Sequence, residues 1–312
     1  MIQVAFTDFV FERREAIHLD GFQFSIHPPL RTTDEIVAAA SRAQVLCMRD
    51  QFGNVSREVF ERLPDLKFIL TRSVGYDHID LGEARWRGIP VSHVPDYGAH
   101  MIAEHAFGLM LAVARNIVRG DERYKRQGLF SDHGLQGIEL FGKTLGIIGA
   151  GRIGMHMVRL GKGFGMRILA YDIHENQAAA SDLGFEYAPL EAVLSESDFI
   201  SLHVALNPDT QHLIDAKRLT QLKPRAILVN TARGAILDTR ALKDAMVSGR
   251  LAGAGLDVLE NERDTYHDFG DLNVVVTPHL GWYTDGAVER ILKITLDILS
   301  AYRRGEILHR LA

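Results

Sequence analysis

Short apolar runs rich in β-branched residues alternate along the chain with longer segments whose apolar positions repeat at helical spacing. A first series contains QVAF, AQVLCM, KFIL and IPVSHV, and a second begins at Thr144 with TLGIIG, RILAY, DFISLHV, RAILVN, GAGLDV and NVVVTP. Strands that alternate with helices predict parallel sheets covered by helices on both faces. The sequence therefore predicts an α/β protein with two doubly wound parallel sheets.

The two series are joined by a segment at residues 98–119 that predicts a long helix. Further apolar residues widen its apolar surface beyond one stripe, which predicts a buried helix that packs in part against another subunit. A last amphipathic helix is predicted over residues 285–304. The helically spaced apolar positions of the joining segment are Ile102, Ala106, Leu109, Met110, Val113 and Ile117, and those that widen its surface are Met101, Phe107, Leu111 and Ala112.

Composition narrows the classes of function. The 312 residues suit about two domains, and the net charge of −5 argues against a nucleic-acid-binding surface. The single cysteine, Cys47, excludes an internal disulfide and a multi-cysteine metal site. No apolar run approaches the roughly 20 residues that span a bilayer, and no signal peptide pattern precedes the first strand. We expect a cytoplasmic protein without a membrane partner or a metal site.

Three glycines follow the strand TLGII directly, and a helical pattern follows them. Gly149, Gly151 and Gly154 have the G-x-G-x-x-G spacing that permits a tight turn, close approach of a pyrophosphate, and close packing of helix on strand. The next strand, RILAY, ends at Asp172, where a carboxylate can accept hydrogen bonds from the adenosine ribose. Because Asp172 would repel a 2′-phosphate, the pattern favours NAD over NADP.

Polar residues also follow the later strands of the second series. Arg233 follows AILVNTA, His279 follows NVVVTP, and Glu262 lies five residues past Asp257, which follows GAGL. Ligands of open α/β sheets bind at the carboxyl ends of the strands, so these side chains are candidates for one crevice. Each also has a structural interpretation: Arg233 in an ion pair, Glu262 as a solvated charge, and His279 as a histidine with satisfied hydrogen bonds.

Taken together, these residues fit the reduction of a carbonyl group by hydride. Histidine titrates near neutral pH and can donate the proton to the oxygen. A carboxylate such as Glu262 orients the imidazole, and Arg233 can hold a 2-oxo acid by its carboxylate and carbonyl oxygens. For His203, after FISL, the alternatives are a cofactor contact or a packing role. Asp257 either accepts a hydrogen bond from the nicotinamide carboxamide or caps a turn.

The sequence resembles the D-isomer-specific 2-hydroxyacid dehydrogenases over nearly its whole length. It is similar to the D-lactate dehydrogenase branch in particular through PDYGAHMIAEHAF and HLGWYT. The motifs that carry the family resemblance are TRSVGYDHIDL, VPDYGAHMIAEHAFGLMLAVAR, LGIIGAGRIG, LHVALNPDT, NTARGAILD, GLDVLENE and TPHLGWYT.

The resemblance implies roles for individual positions. The catalytic residues would be Arg233, Glu262 and His279, and the backbone N–H groups of Val74 and Gly75 would bind the substrate carboxylate. The positions expected to contact the cofactor are Gly149, Gly151, Arg152, Ile153, Gly154, Asp172, His203, Val204, Thr231, Ala232, Asp257 and His279.

The resemblance also implies a domain organisation. A flavodoxin-like substrate domain would comprise residues 1–98 and 283–312, a Rossmann NAD-binding domain would comprise residues 99–282, and a cleft would separate them. A homodimer is expected through the helix at residues 99–119. Arg263 and Ala205 stand where the family commonly has proline, which puts the loops around these two positions in doubt. We expect no appended regulatory domain, which weakens a phosphoglycerate dehydrogenase-like interpretation.

We therefore predict an NAD-dependent enzyme that interconverts a small 2-oxo acid and its D-2-hydroxy acid, similar to D-lactate dehydrogenase. Tyr97, Trp282 and Tyr283 either line an aromatic substrate pocket or pack a domain junction. Arg49 and Arg72 would favour a phosphate or a second carboxylate if both face the cleft; more often such arginines form surface pairs. The alternatives are a hydroxypyruvate or glyoxylate reductase, a phosphoglycerate dehydrogenase-like enzyme, and an NAD(H)-sensing interaction protein resembling the dehydrogenase-related corepressors.

Overall fold

A computed structural model describes residues 1–8, 17–50, 53–260 and 269–312. The chain forms two compact units, one of Met1–Tyr97 with Thr284–Ala312 and one of Gly98–Tyr283. The strands of the described residues are β1 (Ile2–Phe6), β2 (Phe22–Ile26), β3 (Val45–Met48), β4 (Phe68–Thr71), β5 (Val91–His93), β6 (Thr144–Ile148), β7 (Arg167–Tyr171), β8 (Glu186–Tyr187), β9 (Phe199–Leu202), β10 (Ala226–Asn230), β11 (Leu251–Leu256) and β12 (Val274–Val276). The helices are α1 (Thr33–Ala40), α2 (Arg57–Arg62), α3 (Leu81–Arg87), α4 (Ala99–Ala114), α5 (Ile117–Gln127), α6 (Arg152–Gly163), α7 (Gln177–Leu183), α8 (Leu190–Glu196), α9 (Ala216–Gln221), α10 (Thr239–Val247) and α11 (Asp285–Arg303).

The first unit contains a five-stranded parallel sheet with the strand order β2-β1-β3-β4-β5. Its central strands β3 and β4 are buried along their whole length, as their continuous apolar sequences predict. Strand β2 was not predicted. Its sequence FQFSI alternates apolar and polar residues, which suits an edge strand, and among the described strands it pairs with β1 alone.

The C-terminal segment returns to this first sheet. The N–H of Leu311 donates to the Val91 carbonyl at 2.7 Å, and the N–H of His93 donates to the His309 carbonyl at 3.2 Å. The ring of Tyr302 in α11 stacks on Phe68 in β4 with the centroids 4.5 Å apart. The first unit is thus built from both ends of the chain.

The second unit contains a seven-stranded parallel sheet with the order β12-β11-β10-β9-β6-β7-β8. Neighbouring residues of β6 contribute to separate hydrophobic clusters, Ile147 to one that includes Phe199 and Ile148 to one that includes Ile200. This alternation places a packed layer on each face of the sheet. The strand order reverses between β6 and β9, which is where doubly wound sheets bind ligands. The predicted α/β class with two doubly wound sheets is confirmed.

The predicted helix at residues 98–119 is broken. Helix α4 ends at Ala114, Asn116 adopts a left-handed conformation with φ of 51°, and α5 continues at an angle of 61°. Asparagine tolerates this conformation, and its amide donates to the carbonyls of Leu135 and Gln136 at 3.3 Å. Ile117 is consequently 56% exposed within the single chain, so its packing against another subunit stays a prediction. Among the described helices, none is by itself long and apolar enough to cross a membrane.

Candidate active site

The glycine-rich turn lies at the carboxyl end of β6. Gly149 has a φ of 96°, and a Cβ atom there would lie 2.6 Å from the carbonyl carbon of His203. A Cβ atom on Gly154 would overlap the carbonyl oxygen of Gly149. A Cβ atom on Gly151, in contrast, would meet no atom within 4 Å among the described residues. Two of the glycines therefore shape the turn, and the third borders open space beside the start of α6.

The start of α6 is suited to an anion. The N–H groups of a first helical turn have no acceptor within the helix, and they carry partial positive charge. Gly151 occupies the N-cap position, so no side chain caps these donors. Asp172 at the end of β7 fixes the turn, because its two carboxylate oxygens accept from the N–H groups of Ala150 and His174, both at 2.8 Å. A pyrophosphate beside Gly151 and a ribose beside Asp172 fit this arrangement.

Two buried polar atoms follow β9 and β10. Within the described ranges, the Thr231 hydroxyl and the Nδ1 atom of His203 have no hydrogen-bond partner. The other ring nitrogen of His203 lies 2.8 Å from the Ser201 hydroxyl. Burial lowers the pKa of His203 to about 3, so the ring is neutral at physiological pH. Because unsatisfied buried polar atoms cost free energy, both atoms suit hydrogen bonds to a polar ligand at this edge of the sheet.

The turn that carries Arg233 is organised by Asn230, which sequence reasoning did not single out. Asn230 is fully buried at the end of β10. Its amide donates to the Arg233 carbonyl at 2.9 Å, and its side-chain oxygen accepts from the Ala232 N–H at 3.0 Å. The half-buried Arg233 also donates from Nη1 to the Ala232 carbonyl at 2.9 Å. The sequence feature that could have identified Asn230 is its polar amide at the end of the otherwise apolar strand AILVN.

Asp257 caps the turn after β12. The carboxylate is 1% exposed and accepts from the Thr277 hydroxyl at 2.6 Å and from the N–H groups of Leu280 and Gly281 at 2.7 and 2.8 Å. His105 of α4 also contacts it, with Nε2 3.2 Å from Oδ1. Burial raises the pKa of Asp257, but these hydrogen bonds outweigh burial and hold that pKa below its usual value. Of the two alternatives for Asp257, the structure contains the turn cap; a contact with the nicotinamide carboxamide stays a prediction.

His279 lies within the turn that Asp257 caps. Its φ of 55° is in the left-handed region, which costs a non-glycine residue on the order of 1–3 kcal/mol. Its N–H lies 2.8 Å from the Asp257 carbonyl and 2.9 Å from the Thr277 carbonyl. The surrounding hydrogen bonds therefore impose a backbone conformation that His279 would not adopt by itself.

The sequence-predicted catalytic residues are placed as follows. Arg233 follows β10 and His279 follows β12, at the same carboxyl edge that carries Asp257 after β11. Glu262 lies outside the described residues, and so does Arg263, which stands where the family commonly has proline. In the second unit, the rings of Trp282 and Tyr283 lie 5.0 Å apart. Val74, Gly75 and Tyr97 belong to the first unit.

The loop after β4 in the first unit presents two backbone donors. Among the described residues, the N–H groups of Val74 and Gly75 donate to no protein acceptor. The Ser73 hydroxyl donates to the Gly75 carbonyl at 2.8 Å, and Nδ1 of His93 lies 3.1 Å from the Val74 carbonyl. These contacts fix the loop through its carbonyl groups and leave its N–H groups for an anion. Tyr97, the other substrate candidate in this unit, is 6% exposed.

Arg49 and Arg72 form a buried cluster with Asp8. They are 2% and 3% exposed, and Asp8 is fully buried. Nη1 of Arg72 lies 2.9 Å from both carboxylate oxygens, and Nε of Arg49 lies 3.2 Å from one of them. Burial lowers the pKa of Arg49, against the opposing effect of Asp8. The sequence-based expectation of surface pairs was wrong, and this burial weakens the case for a phosphate-bearing substrate.

His105 is a second residue that sequence reasoning missed. Its Nε2 atom lies 3.0 Å from the Thr277 hydroxyl in addition to its contact with Asp257. The sequence feature that could have identified it is a titratable side chain within the apolar run MIAEHAFGLM, where the surrounding residues predict burial. No group of three His, Cys, Asp or Glu side chains that could hold a metal ion occurs in the described ranges.

Known proteins match this chain along most of its length. The model of the NAD-binding domain of D-isomer-specific 2-hydroxyacid dehydrogenases matches residues 107–281. A glyoxylate reductase of Pyrococcus furiosus is 46% identical over 260 residues, which cover 81% of this chain and 77% of that protein. The D-lactate dehydrogenase of Escherichia coli is 38% identical over 293 residues, which cover 88% of each.

A solved structure of a D-lactate dehydrogenase also resembles this chain. The D-lactate dehydrogenase of Aquifex aeolicus, in complex with NAD and lactic acid, matches with a TM-score of 0.87 and 31% identity over 97% of this chain and 96% of that one. The predicted cofactor, NAD, and the predicted oxidoreductase class acting on a CH–OH group are confirmed. The branch within the family stays a prediction, because relatives with both names occur. The protein belongs to the family of D-isomer-specific 2-hydroxyacid dehydrogenases.

Proposed function

We propose that this enzyme interconverts a small 2-oxo acid and its D-2-hydroxy acid, with His279 as the general acid and base. The observation that carries the proposal is the turn capped by Asp257, which holds His279 at the carboxyl edge of the sheet that also bears the glycine-rich turn. Imidazole is the side chain best suited to move a proton near neutral pH.

Separate residues of the chain are assigned to proton transfer, substrate binding and orientation of the imidazole. The bound cofactor would supply a hydride to C2 of the 2-oxo acid as NADH, or accept one from C2 of the hydroxy acid as NAD. His279 gives its proton to the carbonyl oxygen during reduction and takes it back during oxidation. Arg233 binds the carboxylate and the carbonyl oxygen, and the N–H groups of Val74 and Gly75 donate to the carboxylate. Glu262 is assigned by the family resemblance alone to orient the imidazole and favour its charged form.

The cofactor roles rest on the residues around the glycine-rich turn. Arg152 and Ile153 begin α6, where N–H groups and the helix dipole favour the pyrophosphate. Thr231 and His203 contribute buried polar atoms for hydrogen bonds to the cofactor. The remaining proposed contacts, which follow strands of the same sheet, are Gly149, Gly151, Gly154, Asp172, Val204, Ala232, Asp257 and His279.

Asp172→Asn is expected to raise the Kd for NADH about tenfold, because the ribose loses a charge-assisted hydrogen bond and the amide NH2 cannot accept from a turn N–H as the second carboxylate oxygen does. The same change is expected to tighten NADPH binding, because the repulsion of the 2′-phosphate is lost. Fluorescence titration with both cofactors measures the two effects. Glu175→Gln, an exposed charge change three residues away, serves as the control and should leave both affinities unchanged. Unaltered NADH and NADPH affinities in Asp172→Asn would remove Asp172 from the ribose site.

The substrate is proposed to be pyruvate or a bulkier 2-oxo acid. Trp282 and the 44%-exposed Tyr283 offer aromatic surface for an apolar substituent, and the E. coli relative is a D-lactate dehydrogenase. Tyr97, which is 6% exposed, is the third proposed substrate residue. Glyoxylate or hydroxypyruvate is the second candidate, because the P. furiosus relative is a glyoxylate reductase. A phosphorylated substrate is disfavoured by the burial of Arg49 and Arg72 against Asp8.

A substrate panel tests the proposal. Purified enzyme is mixed with NADH and, separately, pyruvate, glyoxylate, hydroxypyruvate and phenylpyruvate, and cofactor absorbance gives kcat/KM for each. Pyruvate or phenylpyruvate is expected to rank first, and NAD reduction is expected with D-lactate but not with L-lactate. A clear preference for glyoxylate or hydroxypyruvate would replace the substrate assignment. Turnover with none of the four acids would overturn the proposed function.

A homodimer is proposed through the segment that begins with α4. Helix α5 and the loop after it expose large apolar side chains, with Tyr124 at 58%, Leu129 at 50% and Phe130 at 93%. Apolar surface of this kind marks association sites. Sedimentation velocity should give about twice the 34.8 kDa chain mass, and Leu129→Asp with Phe130→Asp should shift the protein toward monomer. A monomeric wild-type protein at micromolar concentration would contradict the proposal.

A further inference from the structure

His105 joins the hydrogen-bond network that holds the turn of His279. Its Nε2 atom lies 3.2 Å from Oδ1 of Asp257 and 3.0 Å from the Thr277 hydroxyl. Its side chain is 25% exposed, and its Cδ2 atom lies 3.5 Å from the position that a Cβ atom on Gly281 would occupy. The imidazole therefore packs against the turn as well as bonding to its cap.

The direction of these hydrogen bonds follows from the chemistry of the groups. The Thr277 hydroxyl lies 2.6 Å from the Asp257 carboxylate, and a carboxylate only accepts, so the hydroxyl donates its proton there. The Thr277 oxygen is then left to accept from His105. Nε2 of His105 thus faces two acceptors and carries a proton, whether or not Nδ1 is also protonated.

We infer that His105 is a positioning residue, which fixes the Asp257 carboxylate and through it the turn that presents His279. The inference rests on the proposed role of His279 in proton transfer. Without the Nε2 donor, the carboxylate keeps Thr277 and the two turn amides but loses the contact that ties it to α4. The turn then has fewer constraints with which to hold His279 at its positive φ of 55°.

The expected effect on catalysis is large although His105 lies outside the reacting atoms. Displacement of a proton donor by about 1 Å is enough to lower a rate on the order of 100-fold. NADH affinity should change less than kcat, because most of the proposed cofactor contacts lie after β6, β7, β9 and β10, and only Asp257 and His279 belong to this turn. The result should be a loss in kcat without a comparable loss in NADH affinity.

Two substitutions of one side chain separate positioning from packing. His105→Leu keeps an apolar side chain and removes the donor, whereas His105→Gln retains an N–H donor at similar reach. We expect kcat to fall on the order of 10- to 100-fold in His105→Leu and to recover largely in His105→Gln, with the Kd for NADH within a few-fold of wild type in both. The solvent deuterium isotope effect on kcat should rise in His105→Leu alone. Glu104→Gln, an exposed change on the same helix, is the control and should match wild type.

Folded His105→Leu with wild-type kcat, or His105→Gln no more active than His105→Leu, would overturn the inference. Crystal structures of wild type and both variants give a readout that is independent of turnover. His279 should leave the left-handed region in His105→Leu and retain it in His105→Gln; an unmoved His279 in His105→Leu would refute the inference. A wild-type enzyme that reduces no 2-oxo acid would refute the proposed function instead, while the structures would still decide the role of His105.

Discussion

Replacing His279 with alanine is expected to lower kcat by about 10²- to 10⁴-fold, because the change removes the proposed general acid and base. The affinity for NADH should stay within a few-fold of wild type, since alanine leaves the glycine-rich turn and Asp172 intact. Stopped-flow reduction of the preferred 2-oxo acid gives the rate, and fluorescence titration gives the Kd for NADH.

The positive φ of His279 requires a separate control for backbone strain. His279→Asn removes the imidazole but keeps a residue that tolerates the left-handed region, so it should be as inactive as His279→Ala. His309→Ala changes another histidine with positive φ, at 50°, on the exposed C-terminal segment, and should retain full activity. Substantial turnover in His279→Asn would show that backbone geometry, not proton transfer, explains the loss in the alanine variant.

Replacing Asp8 with asparagine is expected to lower the free energy of unfolding by about 3–5 kcal/mol. The carboxylate contacts both Arg49 and Arg72, and its loss leaves two buried guanidinium groups without their shared counter-charge. Removal of one partner from a buried ion cluster costs far more than the net stabilisation that the cluster provides, because the remaining charges stay away from water. Urea unfolding followed by circular dichroism measures the change.

The matched control is an ion pair at the surface. Asp34 lies 2.7 Å from Arg62 and is 85% exposed, so Asp34→Asn should cost roughly 0–1 kcal/mol. A combined Asp8→Leu, Arg49→Met and Arg72→Met variant should recover much of the loss in Asp8→Asn, since none of these three charges is then left buried. If Asp8→Asn costs no more than Asp34→Asn, the cluster is not a determinant of stability.

The parts of the molecule that follow from local patterns were predictable. The turn at Gly149, the strand that ends at Asp172, and the placement of Arg233 and His279 at strand ends all depend on short sequence signals and on the rule that parallel strands share a carboxyl edge.

Other features depend on contacts between distant segments, and no local pattern encodes them. The bend at Asn116 is stabilised by carbonyls at Leu135 and Gln136, so periodicity alone extended the helix too far. His105 reaches Asp257 across 152 residues of sequence. The burial of Arg49 and Arg72 follows from Asp8, which sequence reasoning had not considered as their partner.

Because the C-terminal segment returns to β5, the first unit is the last to be completed when the chain is synthesised. The second unit is complete once Tyr283 has been added, so it has all its strands while the last 29 residues are still to come. The first unit is translated mostly before it, yet lacks α11 and the C-terminal segment that bonds to the free edge of β5 until residues 284–312 have been added. Released chains that end at Tyr283 should therefore be protease resistant in residues 98–283 while residues 1–97 stay susceptible, in reverse of the usual N-to-C order.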